Sequence, residues 1–479
     1  MRDPASFRDP SGFVYFENDE VRRRINPAYL PVYRRLIKSG LYKKLVQSGR
    51  LIPHREEPER LPREEGLVIA PLRIPMITYP CEWSFGMLKD AALLTLRIHL
   101  TALDYGMYLK DASAYNVQFI GCRPVFIDTL SFEEYKDGLP WYAYGQFCRH
   151  FLAPLLLMRH TDIRLNQLLR LFPDGVPLDL AKKLLHGHGG LTALFHISLH
   201  SQFIDRHGND NQKDFSEKKL KPMTLSAHRR LISNLINAIE KMEAGNIRSD
   251  WGNYYSGTNY SISAASGKAA AVEDLLNEIR AKRFFDLGAN DGRYTRPALK
   301  YGAELAAAAD SDSAAVEFNY QSGKKNGENI LPLITDISNP AGGMGFAASE
   351  RLPFWERAKP DCIMMLALIH HLVISNNLPL DKIAAWLYDL TPDVILEFVP
   401  KKDSQVQRLL ACRADIFPEY EPSQFESIFS RFFQIEKKIE LKDCSRTVYW
   451  FHRKHLGCLH QPFVCNSISC IANDNASDE

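Results

Sequence analysis

The stretch Arg283-Phe-Phe-Asp286-Leu-Gly288-Ala-Asn290-Asp-Gly292-Arg-Tyr-Thr295 constrains the fold of this 479-residue chain more than any other. Its spacing predicts an apolar strand ending at Asp286, a glycine-rich turn, and a helix that begins near Thr295. Gly288 and Gly292 let the backbone turn tightly and approach a ligand where a Cβ would collide. Open α/β sheets bind their ligands at the carboxyl ends of the strands, which is where this turn falls. A dinucleotide fingerprint requires GxGxxG, whereas this turn reads GxxxG, and an acid at the strand end suits a cation better than a phosphate. Asp286, Gly288, Asn290 and Gly292 are therefore candidate ligand-binding positions.

From Asp250 to Lys454 strand-like and helix-like segments alternate, which predicts βαβ units and a mainly parallel sheet. Ala306 to Ala309 reads as a short strand closed by Asp310, where an acid can accept both hydroxyls of a ribose. Asp312 is expected to cap the helix that follows. A third strand, Ile330 to Ile334, leads into Asp336, placed to accept from an adenine amino group. No one acid carries the signal alone, and their order and spacing together do. A fourth strand over Asp361 to Leu368 leads into His370 and His371, and a fifth over Val394 to Phe398 contains Glu397. A histidine at a strand end suits general-base work at neutral pH. His371 is the first candidate, His370 the second, and Glu397 an alternative base. The competing reading has one histidine capping a helix and the other packing under a ligand.

The motifs Asp-Leu-Gly-Ala-Asn-Asp-Gly, Leu-Ile-His-His-Leu and Glu-Phe-Val-Pro, with the closing Arg446-Thr-Val-Tyr-Trp strand, resemble class I S-adenosylmethionine-dependent methyltransferases. The subgroup resembled includes the rhizobial nodulation methyltransferase-like proteins. The resemblance covers Trp251 to Arg453 and implies a Rossmann-like α/β domain with a mainly parallel seven-stranded sheet and S-adenosylmethionine as cofactor. It further implies that Asp286, Gly288 and Gly292 line the methionine side, Asp310 the ribose and Asp336 the adenine. Trp251 to Tyr260 reads either as an aromatic lid over the cofactor or as a packed linker.

Residues 1–225 are expected to form an α+β domain, with 226–455 as the methyltransferase domain and 456–479 as a tail. A helix is predicted from Ser226 to Glu243, with Leu231, Leu235, Ile236 and Ile239 at helical spacing, and 205–222 reads as a linker or exposed loop. Asp111 and Asn116, five apart and followed by strands ending in Asp128, follow the order of a phosphotransferase catalytic loop. Residues 66–200 thus resemble the C-lobe of kinase-like and aminoglycoside-phosphotransferase-like folds, with Val68 to Tyr79 as the last N-lobe strands. The departures are clear: Lys110 and Thr129-Leu130 replace the usual neighbours, and neither a glycine-rich phosphate loop nor a strand lysine precedes residue 66. A degenerate kinase-like scaffold fits these departures better than an active phosphotransferase, and chance similarity is the third reading.

A net charge of +2 argues against a protein that coats nucleic acid or acidic lipid, and the run Arg22 to Arg24 reads as a solvated helix face. Met1 to Phe16 lacks a signal-peptide core, no stretch reaches the length of a membrane span, and nine cysteines suit a reducing cytoplasm. His455, Cys458, His460, Cys465 and Cys470 match no zinc spacing, so no metal is expected. These readings converge on methyl transfer to a small molecule, carbohydrate or lipid-linked oligosaccharide. The alternatives are a phosphotransferase with an accessory methyltransferase domain and a non-catalytic scaffold that binds S-adenosylmethionine.

Overall fold

The computed structural model describes residues 2–18, 20–60, 62, 65–185, 223–245, 262–411 and 413–455. The linker 205–222, the aromatic stretch 251–260, Cys458, His460, Cys465, Cys470 and the tail 456–479 lie outside the described residues. Two compact units are present: residues 1–253 with 310–358, and residues 254–309 with 359–479.

The first unit opens with a four-stranded antiparallel sheet of β1 (Gly12–Glu17), β2 (Glu20–Ile25), β3 (His54–Glu56) and β4 (Leu67–Pro71), in the order β1-β2-β4-β3. The Arg22 to Arg24 run lies in β2 and not on a helix face: Arg22 is buried and pairs with Glu57 at 2.9 Å and Glu20 at 2.7 Å. The extension predicted to Tyr79 stops at Pro71, because Pro71 and Pro75 offer no N–H to a ladder. Helix Phe85–Asp104 starts where Ser84 caps Met87 N, and both its faces are apolar, so it runs through the core. Around it lie the short hairpins of β5 (Met107–Leu109) with β8 (Phe132–Glu134) and of β6 (Val117–Ile120) with β7 (Arg123–Phe126).

Helix Leu225–Glu240 begins at the Thr224 cap and buries His228, Ile232, Leu235 and Ile239. Its buried stripe is turned from the predicted one, with Leu231 and Ile236 only half buried, because His228 takes a core position that hydrophobicity does not mark. Segment 310–358 is knit into the same unit by polar contacts. Arg357 pairs with Glu82, both nearly inaccessible, donates to Ile77 O at 2.6 Å and lies 3.8 Å over the Tyr79 ring. Glu317 accepts from Gly86 N at 2.7 Å, and Tyr320 OH donates to Asp90 at 2.6 Å.

The seven-stranded sheet has the order β11-β10-β9-β12-β13-β15-β14, where β9 is Arg283–Leu287, β10 Leu305–Asp310, β11 Ile330–Ile334, β12 Cys362–Met365, β13 Asp393–Phe398, β14 Phe433–Glu440 and β15 Thr447–Arg453. Pairings β10·β9, β9·β12 and β12·β13 are parallel, whereas β15 runs antiparallel to both β13 and β14. The fourth strand is shorter than predicted, ending at Met365, because Ala367 adopts a positive φ of 49° and turns the chain out of the ladder. Helix Ile262–Ile279 covers one face, packing Val272, Leu275 and Leu276 on Phe284, Met364, Ile395 and Val448. No described helix is long and apolar enough to cross a membrane.

Candidate functional site

The loop after β9 is built by backbone bonds that leave its strand-end acid enclosed. Gly288 N and Ala289 N both donate to Ala309 O, at 2.8 and 3.1 Å, so the turn is tied to the end of β10. Gly288, Asn290 and Gly292 have φ of 75°, 50° and 74°. That left-handed path suits glycine, and asparagine tolerates it. A Cβ on Gly288 would stand 3.3 Å from Leu368 Cδ1, so the glycine keeps a narrow cradle open beside the β12 loop. Asp286 is buried and accepts from Thr295 Oγ1 at 2.7 Å, and helix Arg296–Lys300 follows.

Asp310 follows Ala309 directly. One of its carboxylate oxygens accepts from Asp312 N at 2.9 Å, while Asp312 caps helix Ser313–Asn326 through Ala314 N at 2.8 Å. Asp310 O accepts from Thr335 N at 2.8 Å, which places Asp336 one residue beyond that bond. Asp336 is exposed and holds Ser338 N and Oγ at 2.9 and 2.6 Å. These acids fit the cofactor implied by the motifs: an enclosed carboxylate suits a cationic amino-acid end, and the two later acids suit hydroxyl and amino donors.

Beyond β12, His370 is buried and His371 half buried, with ring centroids 4.2 Å apart. Burial pushes the His370 imidazole well below its ordinary range, helped by His371, Arg446 and Lys268, and burial also lowers His371. Both therefore stay neutral at pH 7, the form in which an imidazole accepts a proton. Nδ1 of His370 has no hydrogen-bond partner among the described residues.

Glu397 is fully buried at the end of β13. It pairs with Lys268 Nζ at 2.7 Å and with Arg446 at 3.8 Å, and Arg446 also holds Asp403 at 2.8 Å. Lys268, itself 4% exposed, lies 4.9 Å over the ring of Tyr294 in the loop after β9. Glu397 is thus committed to two cations. The sequence reasoning missed Lys268. Its only signal is a single basic residue inside the small-residue run Ala-Ala-Ser-Gly-Lys-Ala-Ala-Ala.

In the first unit the predicted trio comes together around Ser131. Asn116 Nδ2 donates to Ser131 Oγ at 3.1 Å, and Ser131 Oγ donates to Asp128 at 2.6 Å. Asp111 accepts from Ser113 N at 2.9 Å and from the side chains of Asn116 and Gln146. Arg23 pairs with Asp128 at 2.5 Å, and Lys110 donates to Ser11 Oγ at 2.9 Å. Burial, then Asp128, raises the Asp111 carboxyl.

The strand order of the seven-stranded sheet, with a single strand inserted antiparallel between β13 and β14, is that of the class I methyltransferase fold. Nodulation protein NoeA of Rhizobium meliloti (strain 1021) is 36% identical over 457 residues, covering 94% of this chain and 95% of that protein. The chain belongs to the NoeA family. No protein-family model matches it. Among solved structures, it is similar over 43% of its length to magnesium protoporphyrin IX methyltransferase from Synechocystis PCC 6803 with bound SAH, at 15% identity, 92% coverage of that chain and a TM-score of 0.31. A likeness to the N-methyltransferase NodS from Bradyrhizobium japonicum WM9 covers 40% of this chain and 98% of the other, at 10% identity and a TM-score of 0.30.

Proposed function

We propose that the chain is an S-adenosylmethionine-dependent methyltransferase whose acceptor is a small molecule, a carbohydrate or a lipid-linked oligosaccharide. The observation that carries this reading is the β9 loop, in which buried Asp286 stands beside a cradle that a Cβ on Gly288 would narrow. Asp286, Gly288, Asn290 and Gly292 hold the methionine end, Asp310 the ribose and Asp336 the adenine. When bound, the cofactor supplies an electrophilic methyl group. The protein aligns the acceptor with it and excludes water.

His371 is the group that takes the proton from an acceptor hydroxyl, with His370 packed against it, and Glu397 positions Lys268 and Arg446 around them. The near-neutral charge of the chain supports an acceptor other than nucleic acid. Five cysteines among the described residues are thiols outside any disulfide, which suits work in the cytoplasm. Residues 1–225 choose the acceptor, on a kinase-like scaffold in which Arg23 holds Asp128.

Incubation with methyl-labelled cofactor and fractionated cell extract tests this reading. Label is expected in a small-molecule or glycolipid fraction, and Asp111→Asn leaves the rate largely intact. Loss of turnover in that variant would favour the phosphotransferase reading, and transfer to no fraction would favour a scaffold. Once the acceptor is in hand, His371→Ala is expected to lower kcat by roughly 10²–10⁴-fold with little change in cofactor affinity. Because burial lowers the His371 imidazole, the acid limb of the wild-type kcat profile should lie below the ordinary histidine pKa. The rate would then rise with pH to a plateau reached before neutrality. An unchanged pH profile in His371→Ala would remove it as the base.

A further inference from the structure

The overall charge of +2 is an average over a chain whose charges are segregated. Between Val21 and Arg55 stand ten lysines or arginines and no aspartate or glutamate, so the rest of the chain carries a formal −8 against the +2 of the whole. Solvated surfaces ordinarily intersperse the two signs, so a stretch of one sign this long asks for a partner. Part of it is matched within the fold. Arg22, Arg23, Arg24, Arg34 and Arg55 each meet a carboxylate. The other five, Arg35, Lys38, Lys43, Lys44 and Arg50, form no ion pair among the described residues.

Two helices carry most of them. Helix Leu30–Lys38 and helix Leu41–Gln47 are separated by Ser39 and by Gly40, whose φ of 86° breaks the helical path. The first buries Tyr33 and Leu36 and the second Leu41 and Leu45, all at 0% exposure. With about 100° between successive residues, Arg34, Arg35 and Lys38 share one outward stripe of the first helix, and Lys43, Lys44 and Gln47 share one on the second. Arg35, Lys38, Lys43 and Lys44 are exposed, and Arg50 is half buried.

Neighbouring segments extend the patch. Arg50 donates to Thr101 Oγ1 at 3.4 Å, and Arg35 Nη2 lies 3.5 Å from the Cβ position of Gly106. Exposed Arg123 brings Nη1 to 3.5 Å from the Cβ position of Gly49 and has no ion pair among the described residues. Two acids border the patch and both are taken: Glu56 faces Arg34 at 3.4 Å, and Asp104 holds Arg229 at 2.6 Å.

The spacing of these cations selects the partner. A site for one small anion turns several donors onto a single point. Here the charges are strung along two helices, each roughly 10–14 Å long, so neighbours within a Debye length of about 8–10 Å add their fields without sharing a ligand. The match is an extended anionic surface. Single-stranded nucleic acid would want exposed rings on which bases stack. Tyr29 and Tyr33 are buried, Tyr42 OH is bonded to both N and O of His54, and no large apolar side chain between Val21 and Arg55 is exposed. Acidic headgroups need no rings, and four to eight Lys or Arg on amphipathic helices suffice to hold a protein on them. We propose that the cationic face of helices Leu30–Lys38 and Leu41–Gln47, with Arg50 and Arg123, docks on the surface of an anionic phospholipid bilayer. The apolar sides of both helices are spent on the core, so the contact is electrostatic and without insertion. The inference goes beyond the methyl-transfer reading and does not depend on it.

Vesicle co-sedimentation of the full chain is the test, with phosphatidylcholine vesicles and with vesicles containing roughly a third phosphatidylglycerol. Binding to the second kind alone is expected, and it should fall at least tenfold when salt rises from about 0.05 to 0.3 M. Each cation near an acidic surface contributes about fivefold, so Lys38→Gln, Lys43→Gln and Lys44→Gln together should weaken binding on the order of a hundredfold, and Lys44→Gln alone about fivefold. All three side chains are exposed and without an acid, so the melting temperature should not move. Lys182→Gln, Lys183→Gln and Lys325→Gln make the same charge change at exposed positions outside the patch and should leave binding within a few-fold of wild type. Cofactor affinity should be unchanged in both triple variants, which separates failure of this surface from failure of the methyltransferase reading. Equal binding to both kinds of vesicle, binding to neither, or equal effects of the two triple variants overturns the proposal. So does capture of a single-stranded or duplex oligonucleotide at a salt concentration where acidic vesicles are not bound.

Discussion

Glu397→Ala is expected to destabilise the second unit by about 3–5 kcal/mol, the largest stability effect of any single substitution at the site. The carboxylate is fully buried and sits 2.7 Å from Lys268 Nζ, which is 4% exposed. Removing it takes the carboxylate away from an ammonium that lies enclosed over the Tyr294 ring, and Arg446 loses the same acid at 3.8 Å. Desolvation of an ammonium that has lost its carboxylate outweighs the small packing loss, because the intact pair was itself close to balanced against its hydration. Pairing Glu397→Gln with Lys268→Met should therefore recover most of the loss, since neither charge remains. Urea unfolding followed by tryptophan fluorescence measures both. A single-variant loss below about 1 kcal/mol would mean that the pair is hydrated, as surface pairs are.

Gly288→Val should cut affinity for S-adenosylmethionine by roughly a hundredfold or more while the chain remains folded. Two effects combine. The residue holds a φ of 75°, and a left-handed conformation costs a residue with a Cβ about 1–2 kcal/mol, more when the side chain is β-branched. The new side chain also enters the cradle beside Leu368, whose Cδ1 and Cδ2 lie 3.3 and 3.4 Å from the Cβ position. Gly302→Ala is the control. It carries the same kind of backbone strain at a φ of 92°, but its Cβ meets nothing within 4 Å. Its affinity should match the wild type. Equal losses in both variants would show that general destabilisation, and not the cradle, weakens binding.

The elements nearest the loop after β9 were legible because local chemistry dictates them. Apolar Phe284 and Phe285 before Asp286, and glycines where φ is positive, leave few other ways to fold, and Ile330 to Ile334 forms the strand its composition predicts. What sequence could not show depends on partners far away along the chain. The Lys268–Glu397 pair joins residues 129 positions apart, and so does the His99–His228 contact. Nothing in the local pattern marks a lysine or a histidine as a core residue, since both are ordinarily read as surface groups. The early end of β12 has a similar cause: Ala367 takes a conformation that alanine disfavours, so apolar Leu366 and Leu368 read as strand when they are not. The first compact unit also takes in residues 310–358, far along the chain from the rest of it. Contacts such as Glu82–Arg357 join that segment to the unit, and they are invisible until the chain is folded.

The central claim is that the loop from Asp286 to Gly292, with Asp310 and Asp336, binds S-adenosylmethionine. Isothermal titration of the purified full-length chain with the cofactor and with its demethylated product tests it most directly. Saturable micromolar binding of both, one per chain and lost in Gly288→Val, is the predicted result. Absence of binding to well-folded protein would contradict the claim.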